Sequence, residues 1–372
     1  MKRLFVLHNL PLEYYPPVTN FLSLLERKES MVTHVFSVHE NKALEVFDLT
    51  RTKIFRTKHF AYTQNPFKKI FRLLKSILIP FYLLIKFKPD LLIYFEPHSA
   101  FPAFLYKKFI NNKVELYIHN HEYYEPKAFL SQEMKTVRFF HKLEEHFLYR
   151  NAKWISQTNK YRLKLFKKEY PFLKDEQLHI LSNYPPKSWV NENEKPISNG
   201  VIKLVYFGAL SFENTYIREI TEFVISNVSS LFLDIYSFNL HEDVKTYLKQ
   251  LKSKNVILYE NGIAYEKIPS VIVNYDVGLV LHKAHNINYR YNAPNKLFEY
   301  LVSGLEVWFS EELEGCHAYL NNQTRPQVKA LNFNKLDSNI IENYYEGDQL
   351  PRAVSDFNSE SELQKLINAF EK

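Results

Sequence analysis

The sequence predicts an α/β protein of two facing Rossmann-like domains, each with a parallel sheet, that enclose an interdomain cleft. Short apolar runs alternate with longer segments of helical spacing, which is typical of βαβ units. The 372 residues exceed one ordinary core and suit two domains. A hydrophobic content of 46% with 24% charged residues is typical of a folded globular chain and excludes a disordered one.

The predicted strands are short runs of apolar residues that appear in order along each half of the chain. Those of the first half are Leu4–Leu7, Val32–Ser37, Leu91–Phe95, Val114–Ile118 and Lys153–Ser156. Those of the second half are Ile202–Phe207, Phe232–Tyr236, Val256–Tyr259, Val277–Leu281 and Glu306–Phe309.

The domain boundary is predicted in the proline-containing, polar segment that runs from Tyr184 to Pro196. We expect an N-terminal domain over 1–187, a linker over 188–200 and a C-terminal domain over 201–355. The end of the chain, 356–372, is predicted to form a helix that packs back towards the N-terminal domain. Its apolar face consists of Leu363, Leu366, Ile367 and Phe370.

The net charge of +7 conceals an asymmetry between the two halves of the chain. Residues 1–187 contain 31 Lys and Arg against 17 Asp and Glu, whereas residues 188–372 contain 17 against 24. The first half is therefore expected to meet an anionic partner, with nucleic acid, anionic lipid and phosphorylated substrates as candidates. The single cysteine, Cys316, excludes an intramolecular disulfide and suits a reducing compartment. No apolar run approaches the roughly 18 residues of a membrane span, so a cytoplasmic protein is expected.

Residues 49–89 form a basic stretch with ten Lys or Arg and no acidic residue. A helix is predicted here, because Phe67, Ile70, Phe71, Leu74, Leu78 and Phe81 recur at helical spacing. The cations Lys68, Lys69, Arg72 and Lys75 fall mostly on the other face. We expect them to dock on the anionic inner face of the cell membrane. The alternative is a crossover helix whose apolar side covers the sheet, and nucleic-acid binding is disfavoured because no recognition motif accompanies the charge.

A strand followed by a helix in the second half predicts a nucleotide site. After the strand that ends near His282, a helix is expected to begin around Asn292 to Pro294 and to end at Gly304. A helix start at the carboxyl end of a parallel strand can bind a diphosphate, and Glu299 can accept hydrogen bonds from ribose hydroxyls. Further candidate donor-binding residues are Pro294, Asn295, Lys296, Arg290, Lys283, Gly262 and Ile263.

These residues give the sequence a resemblance to a known family. Pro294-Asn295-Lys296-Leu297-Phe298-Glu299-Tyr300 with Gly304, the preceding Asp276-Val277-Gly278-Leu279, and Tyr206-Phe207-Gly208 resemble GT-B glycosyltransferases of the retaining family-four type. Weaker likenesses are His121-Glu122, Leu143-Glu144-Glu145 and Ser182-Asn183-Tyr184-Pro185. The resemblance covers nearly the whole chain and implies that Glu299 binds the donor ribose, with Gly208 in the donor site. Departures are Tyr291, Ala209 and Asn214 in place of a family glutamate, arginine and lysine, and Asn9-Leu10-Pro11 in place of a glycine-rich loop.

Polar residues at two strand ends of the first half predict the acceptor side. Strand ends in an open parallel sheet border the ligand crevice. His121 and Glu122 are the candidate catalytic residues, since histidine can move a proton near neutral pH, and Glu96, His98 and His119 are candidate acceptor-binding residues. No Asp-x-Asp triplet or metal-ligand spacing occurs in the sequence, so we expect no metal or other cofactor.

The function predicted from these features is transfer of a hexose from a nucleotide-sugar, UDP-sugar being favoured over GDP-sugar, to an acceptor hydroxyl. The acceptor is expected to be a lipid-linked or membrane-proximal glycan of bacterial surface-polysaccharide synthesis. Three alternatives stay open. The chain could hydrolyse or epimerise a nucleotide-sugar, it could be a sugar- or membrane-binding scaffold whose catalytic positions have drifted, or it could bind nucleic acid.

Overall fold

The computed structural model describes residues 1–40, 50–59, 65–131, 134–192 and 200–372. It divides the chain into two compact units, Met1–Asn183 with Ser359–Lys372, and Tyr184–Asn358. Each unit has a parallel sheet with helices, so the predicted class of two Rossmann-like domains is confirmed. Of the expected linker, residues 193–199 lie outside the described residues, and Tyr184–Glu192 belongs to the second unit.

The described part of the first unit contains a seven-stranded sheet in the order β3-β2-β1-β4-β5-β6-β7. Its strands are β1 Lys2–Pro11, β2 Met31–His39, β3 Thr52–Lys58, β4 Leu91–Phe95, β5 Glu115–Asn120, β6 Ala152–Gln157 and β7 Leu178–Ile180. All neighbouring strands pair in parallel, and Val6 on β1 lies beside Val35 of β2 and Ile93 of β4. The strand pattern reverses between β1 and β4, so the carboxyl ends of these strands border the ligand crevice typical of such sheets.

The helices of the first unit cover the sheet, and all of them except the C-terminal one lie between its strands along the chain. They are α1 Pro16–Glu26, α2 Pro66–Phe87, α3 Ala100–Leu105, α4 Lys135–Leu143, α5 Tyr149–Asn151, α6 Lys160–Glu169 and α13 Ser359–Glu371. π-helical turns at Tyr106–Ile110 and Glu144–Leu148 continue α3 and α4. The terminal helix α13 buries Leu363, Leu366, Ile367 and Phe370 in the core of this unit.

The described part of the second unit contains a six-stranded parallel sheet in the order β10-β9-β8-β11-β12-β13. Its strands are β8 Ile202–Phe207, β9 Leu231–Tyr236, β10 Val256–Tyr259, β11 Val277–Val280, β12 Glu306–Ser310 and β13 Val328–Leu331. Its helices are α7 Ile217–Ser226, α8 Glu242–Gln250, α9 Ile268–Ile272, α10 Ile287–Arg290, α11 Asn295–Val302 and α12 Asn339–Glu346. Apolar clusters pack on both faces of this sheet, because its strands carry apolar residues at successive positions.

The ten strands predicted from the sequence are present, with bounds that differ by a few residues. The sequence missed three strands that lie at sheet edges, β3, β7 and β13. β3 has only two apolar residues among lysine, arginine and threonine, and β7 has only three residues. Edge strands are covered on fewer sides and can be short and polar, so they lack the apolar run that marks a central strand.

Candidate functional site

The polar residues at the carboxyl ends of β4 and β5 lie together in the first unit. Glu96 follows β4 with a φ of 62°, a region in which non-glycine residues are strained. Its Oε1 accepts hydrogen bonds from the backbone N–H of His121 at 2.5 Å and of Glu122 at 3.3 Å. Burial raises the pKa of the Glu96 carboxyl well above its usual value. Glu96 therefore holds the His121-Glu122 segment in place from the interior of the unit.

A chain of side-chain hydrogen bonds orients His121. Ser156 Oγ lies 2.8 Å from Nδ1 of His119, and Nε2 of His119 lies 3.2 Å from Nδ1 of His121. Nδ1 of His121 also lies 3.1 Å from Oδ1 of Asn183. Burial lowers the pKa of His121 to about 4 and that of His119 well below its usual value, so both rings are neutral at neutral pH. The other predicted histidine, His98, lies apart from this chain, with its ring against Tyr124.

A buried arginine supports the same segment from α6. Arg162 is fully buried and donates to the backbone oxygen of His121 at 2.5 Å and to Thr158 at 3.0 Å. Its second amino group pairs with the Glu122 carboxylate at 3.3 Å. The Glu122 side chain remains 43% exposed. The arrangement presents one partly exposed carboxylate, that of Glu122, beside the neutral imidazole of His121.

In the second unit, α11 begins at the carboxyl side of β11. It begins at Asn295, preceded by Pro294 in an extended conformation, and Gly304 with a φ of 83° follows its end. The helix thus begins one residue after the segment from Asn292 to Pro294 in which its start was expected, because Pro294 itself is extended. The first backbone N–H groups of α11 have no partner within the helix and give its start a partial positive charge.

The Lys296 side chain lies across the backbone of Gly208, which follows β8. A Cβ atom at Gly208 would lie 2.6 Å from Cε and 2.8 Å from Nζ of Lys296. His282, just after β11, lies near the same ammonium group, and burial together with Lys296 lowers its pKa to about 3. Burial also lowers the pKa of Lys296, while Glu299 opposes that shift. One cation is thus held where two parallel strands and a helix start converge.

Glu299 is buried one turn further along α11, with 6% of its surface exposed. Burial raises its pKa to about 7, although Lys296 and a hydrogen bond with Tyr265 both favour the ionised form. Tyr265 follows the turn that contains Gly262 and Ile263. Gly262 has a φ of 58°, and a Cβ atom there would lie 2.8 Å from the ring of Phe238. Lys296 therefore lies against Gly208 and acts on Glu299, and Tyr265 connects Glu299 with the segment that follows this turn.

Structural comparison covers the whole chain. A glycosyltransferase from Rickettsia africae has a TM-score of 0.72 at 12% identity, with 100% of this chain and 98% of that chain covered. The Anabaena protein HepE, solved with UDP and glucose, has a TM-score of 0.67 at 12% identity, with both chains fully covered. The chain has the GT-B fold. A UDP-GlcNAc 2-epimerase from Methanocaldococcus jannaschii is also similar, with a TM-score of 0.61 at 11% identity and both chains fully covered.

Comparison of the sequence alone finds no match. No protein-family model matches it, and no curated protein matches it at a significant level. The identities to solved GT-B structures lie far below the level at which activity follows from likeness, so the comparison establishes the fold alone.

Two of the predicted donor cations of this GT-B chain lie against other protein groups. Nζ of Lys283 donates to the backbone oxygen of Phe212 at 2.9 Å and lies 3.6 Å from Glu219. Arg290 is half-exposed, with its Nε 3.9 Å from Oε1 of Glu314. Of the predicted donor-binding cations, Lys296 is the one that the structure places beside Gly208 and Glu299.

Sequence reasoning missed four residues of these two clusters, Ser156, Arg162, Tyr265 and His282, and assigned no role to Asn183. Only Asn183 carried a signal, because it stands in one of the weaker family likenesses. Among the described residues no group of three or more His, Cys, Asp or Glu is placed to hold a metal ion.

The predicted basic helix is present as α2, and its four predicted cations differ in their surroundings. Lys68, Lys69 and Lys75 are exposed, whereas Arg72 donates to the backbone oxygen of His59 at 3.3 Å. In the part of the chain that the structure describes, no helix combines the length and hydropathy that crossing a bilayer requires.

Proposed function

We propose that the chain transfers a hexose from a nucleoside diphosphate sugar to an acceptor hydroxyl. The observation that carries this proposal is the buried Glu299 on α11, one turn after Lys296 is held against Gly208. A helix start and one ammonium group suit a diphosphate. A carboxylate about one turn further along suits the two hydroxyls of a ribose. We favour UDP over GDP as the nucleotide.

The chemistry of transfer asks for two things, stabilisation of the departing nucleoside diphosphate and a positioned acceptor. In this proposal the start of α11 and Lys296 stabilise the charge that develops on the diphosphate. His121, with its lone pair and its fixed orientation, and Glu122 act on hydroxyl groups, and His119 positions His121. Glu96 acts through the backbone of the same segment, and His98 belongs to the surrounding acceptor region. The reaction needs no metal ion and retains the anomeric configuration, as in the family-four type.

The first experiment is calorimetric titration of UDP and GDP into the wild-type chain, Glu299→Ala and Glu342→Ala, in metal-free buffer. Glu342 is an exposed carboxylate of α12 and is the matched control. We expect one nucleotide to bind, with a loss of about 1.5–3 kcal/mol in Glu299→Ala because charged hydrogen bonds disappear. The proposal fails if neither nucleotide binds, or if Glu299→Ala binds as tightly as the control.

A second candidate function is epimerisation of a nucleotide-sugar, because UDP-GlcNAc 2-epimerases from M. jannaschii and Neisseria meningitidis share this fold over the whole chain. Product analysis separates the two. Release of UDP that depends on an added acceptor supports transfer, and a new nucleotide-sugar formed without acceptor supports epimerisation. Binding without turnover over a broad acceptor panel would instead support a scaffold.

We further propose that the acceptor is a lipid-linked or membrane-proximal glycan of surface-polysaccharide synthesis, reached from the inner face of the cell membrane. The support is the acid-free basic stretch of residues 49–89 in the unit to which we assign the acceptor. Anionic lipid attracts such a stretch at short range.

A further inference from the structure

The helix α2 exposes a continuous stripe of large apolar side chains. Phe67 is 82% exposed, and Phe71, Leu74 and Leu78 are 57%, 47% and 57% exposed. Ile70, Tyr82 and Ile85 extend the same stripe. The steps from 67 to 71, 74, 78, 82 and 85 are three or four residues, so these side chains share one face of the helix. At about 1.5 Å per residue the stripe is roughly 27 Å long.

The opposite face of α2 attaches the helix to its unit. Its buried residues are Ser76, Pro80, Leu83 and Leu84. Asn65 caps the helix start by accepting a hydrogen bond from the backbone N–H of Lys68. The exposed stripe is thus not the side that covers the sheet, which removes the alternative of an ordinary crossover helix with its apolar side buried.

A row of lysines runs along one flank of the apolar stripe. Lys68, Lys75 and Lys86 are exposed, and their spacing of seven and eleven residues places them on one line of the helix surface. Lys75 extends over the ring of Phe71, with Nζ 4.5 Å from its centroid. Lysines that lie along apolar surface in this way keep the ammonium in water while the stem stays on the hydrocarbon.

A second short apolar group adjoins α2. The π-helical turn Tyr106–Ile110 contacts α2, and it exposes Phe109 by 64% and Ile110 by 51%. Lys108 of this turn is exposed as well, with Nζ 5.5 Å from the Phe109 ring centroid. The pattern of α2, apolar side chains with a lysine beside them, is therefore repeated on the neighbouring turn.

We infer that the apolar stripe of α2 inserts into the surface of an anionic lipid bilayer, with Lys68, Lys75 and Lys86 at the level of the lipid phosphates. Charge complementarity selects this occupant. The helix has no acidic residue that would meet a basic protein partner, and a helix of this character lies in the plane of the interface. The proposed function includes a membrane-proximal acceptor, and the inference names the surface that would bring the chain to it. Binding of α2 to lipid does not itself require that the chain transfers a sugar.

The test is co-sedimentation of the full chain with vesicles of phosphatidylcholine, with and without about one third phosphatidylglycerol, at low and high salt. We expect binding to the anionic vesicles that weakens with salt. Leu74→Glu with Leu78→Glu should weaken it by about tenfold or more, since charges at apolar insertion positions are costly. Lys68→Gln, Lys75→Gln and Lys86→Gln together should weaken binding to anionic vesicles by a similar factor and leave binding to neutral vesicles unchanged.

Matched controls carry the same chemical changes on the second unit. They are Val228→Glu with Val354→Glu, and Lys252→Gln with Lys254→Gln and Lys335→Gln, all at exposed positions. The inference is overturned if the wild-type chain does not sediment with anionic vesicles, or if the α2 variants sediment like the controls. It is also overturned if Leu74→Glu with Leu78→Glu dissolves a dimer, measured by light scattering, without affecting vesicle binding. UDP titration of every variant keeps this outcome separate from failure of the proposed function.

Discussion

At the scale of single residues, Glu299 combines burial with a nearby cation. Burial favours its neutral form, whereas Lys296 and Tyr265 favour the carboxylate, and the balance leaves its pKa at about 7. Ribose hydroxyls donate hydrogen bonds, so they bind the carboxylate better than the neutral acid. A bound nucleotide should therefore pull a proton off Glu299 when the pH is below about 7.

This gives a pH dependence with a definite sign. UDP affinity should rise as the pH increases from about 5.5 to 7 and level off above that, because the fraction of ionised Glu299 rises over this range. Calorimetry at pH 6 in buffers of different ionisation enthalpy should show net proton release on binding. Glu299→Gln, which cannot ionise, should bind more weakly and without this slope. An unchanged slope in that variant would place the titrating group elsewhere.

The raised pKa of Glu299 should make the folded protein less stable as the pH rises, which is opposite to its expected effect on UDP affinity. Because the pKa of Glu299 is raised above its unfolded value, the group favours folding at low pH. That contribution is lost as the pH rises through about 7. The free energy of unfolding of Glu299→Gln should therefore depend less on pH than that of the wild type between about pH 5 and 8.

His121 should be a single tautomer, set by its neighbours. Ser156 Oγ donates to the backbone oxygen of Ile118, so it accepts from Nδ1 of His119 and leaves Nε2 of His119 as an acceptor. Nδ1 of His121 must then donate to His119 and to Oδ1 of Asn183, which leaves Nε2 of His121 with a lone pair. That atom is buried and has no hydrogen-bond partner among the described residues. Such an atom can accept a hydrogen bond from a ligand hydroxyl.

Asn183→Asp tests this arrangement. A carboxylate beside Nδ1 should stabilise the imidazolium and raise the pKa of His121 from about 4 by about one to three units. Nitrogen NMR should show the Nδ1–H tautomer in the wild type, and the acid limb of the activity profile should move to higher pH in the variant. Asn151→Asp, at an exposed site, is the charge control. An Nε2–H tautomer of His121 would contradict the assignment.

At the scale of elements, α11 is held close to β11 by one glycine. A Cβ atom at Gly278 would lie 2.1 Å from the buried ring of Tyr300, so no side chain fits between the strand and the helix. Tyr300 in turn accepts a hydrogen bond from the backbone N–H of Phe207 at 3.3 Å. This packing positions the start of α11 beside the end of β8, and with it Lys296 beside Gly208.

Gly208→Ala should therefore weaken UDP binding while the second unit stays folded. The new methyl group would clash with the flexible end of Lys296, whereas its next neighbour, Tyr206 Oη, lies at an ordinary contact distance of 3.5 Å. We therefore expect the ammonium to be displaced and UDP binding to fall by about tenfold or more. Gly200→Ala has comparable backbone strain, with a φ of 116° and no atom within 4 Å, and is the control for strain alone. Gly278→Ala should instead unfold the second unit. Equal binding in Gly208→Ala and Gly200→Ala would refute the role given to Lys296.

Sequence patterns could predict the elements of this fold better than the contacts between them. Central strands such as β4 and β8 are continuous apolar runs because helices cover them on both sides, whereas β3 at an edge lacks that signal. The pairing of Glu299 with Lys296 could be predicted from the sequence because a single helix carries both residues. Arg162 and Tyr265 were not, because their contacts join segments far apart in sequence and arise only when the helices pack.

The exposure of α2 shows the same limit in another form. Its periodicity predicts an amphipathic helix. Because α2 carries apolar residues on two faces, the periodicity does not indicate which of these faces is buried. Only packing decides that Leu83 and Leu84 are buried and that Phe67 and Leu78 are not.

At the scale of the whole molecule, the first unit is formed by two separate segments of the chain, whereas the second is formed by one. The first unit is completed by α13, which returns from the far end of the sequence. Phe370 is fully buried there, 4.7 Å from Tyr117 and 6.3 Å from Phe21 between ring centroids. Glu362 accepts from the backbone N–H of Ser182, and Tyr117 donates to the backbone oxygen of Ala369. The stability of the first unit thus depends on residues that follow the second unit in the sequence.

Phe370→Ala should accordingly destabilise the first unit by about 3–5 kcal/mol, the range for removing a buried phenylalanine, and leave the second unit folded. Hydrogen exchange should show faster exchange in β1 to β6 and unchanged exchange in β8 to β12. UDP binding by the second unit should persist in the variant. Phe333→Ala, which removes a buried ring from the second unit, is the reciprocal control and should reverse the pattern. Equal loss of protection in both sheets with either variant would mean that the two units unfold as one cooperative body, and it would contradict this assignment of α13.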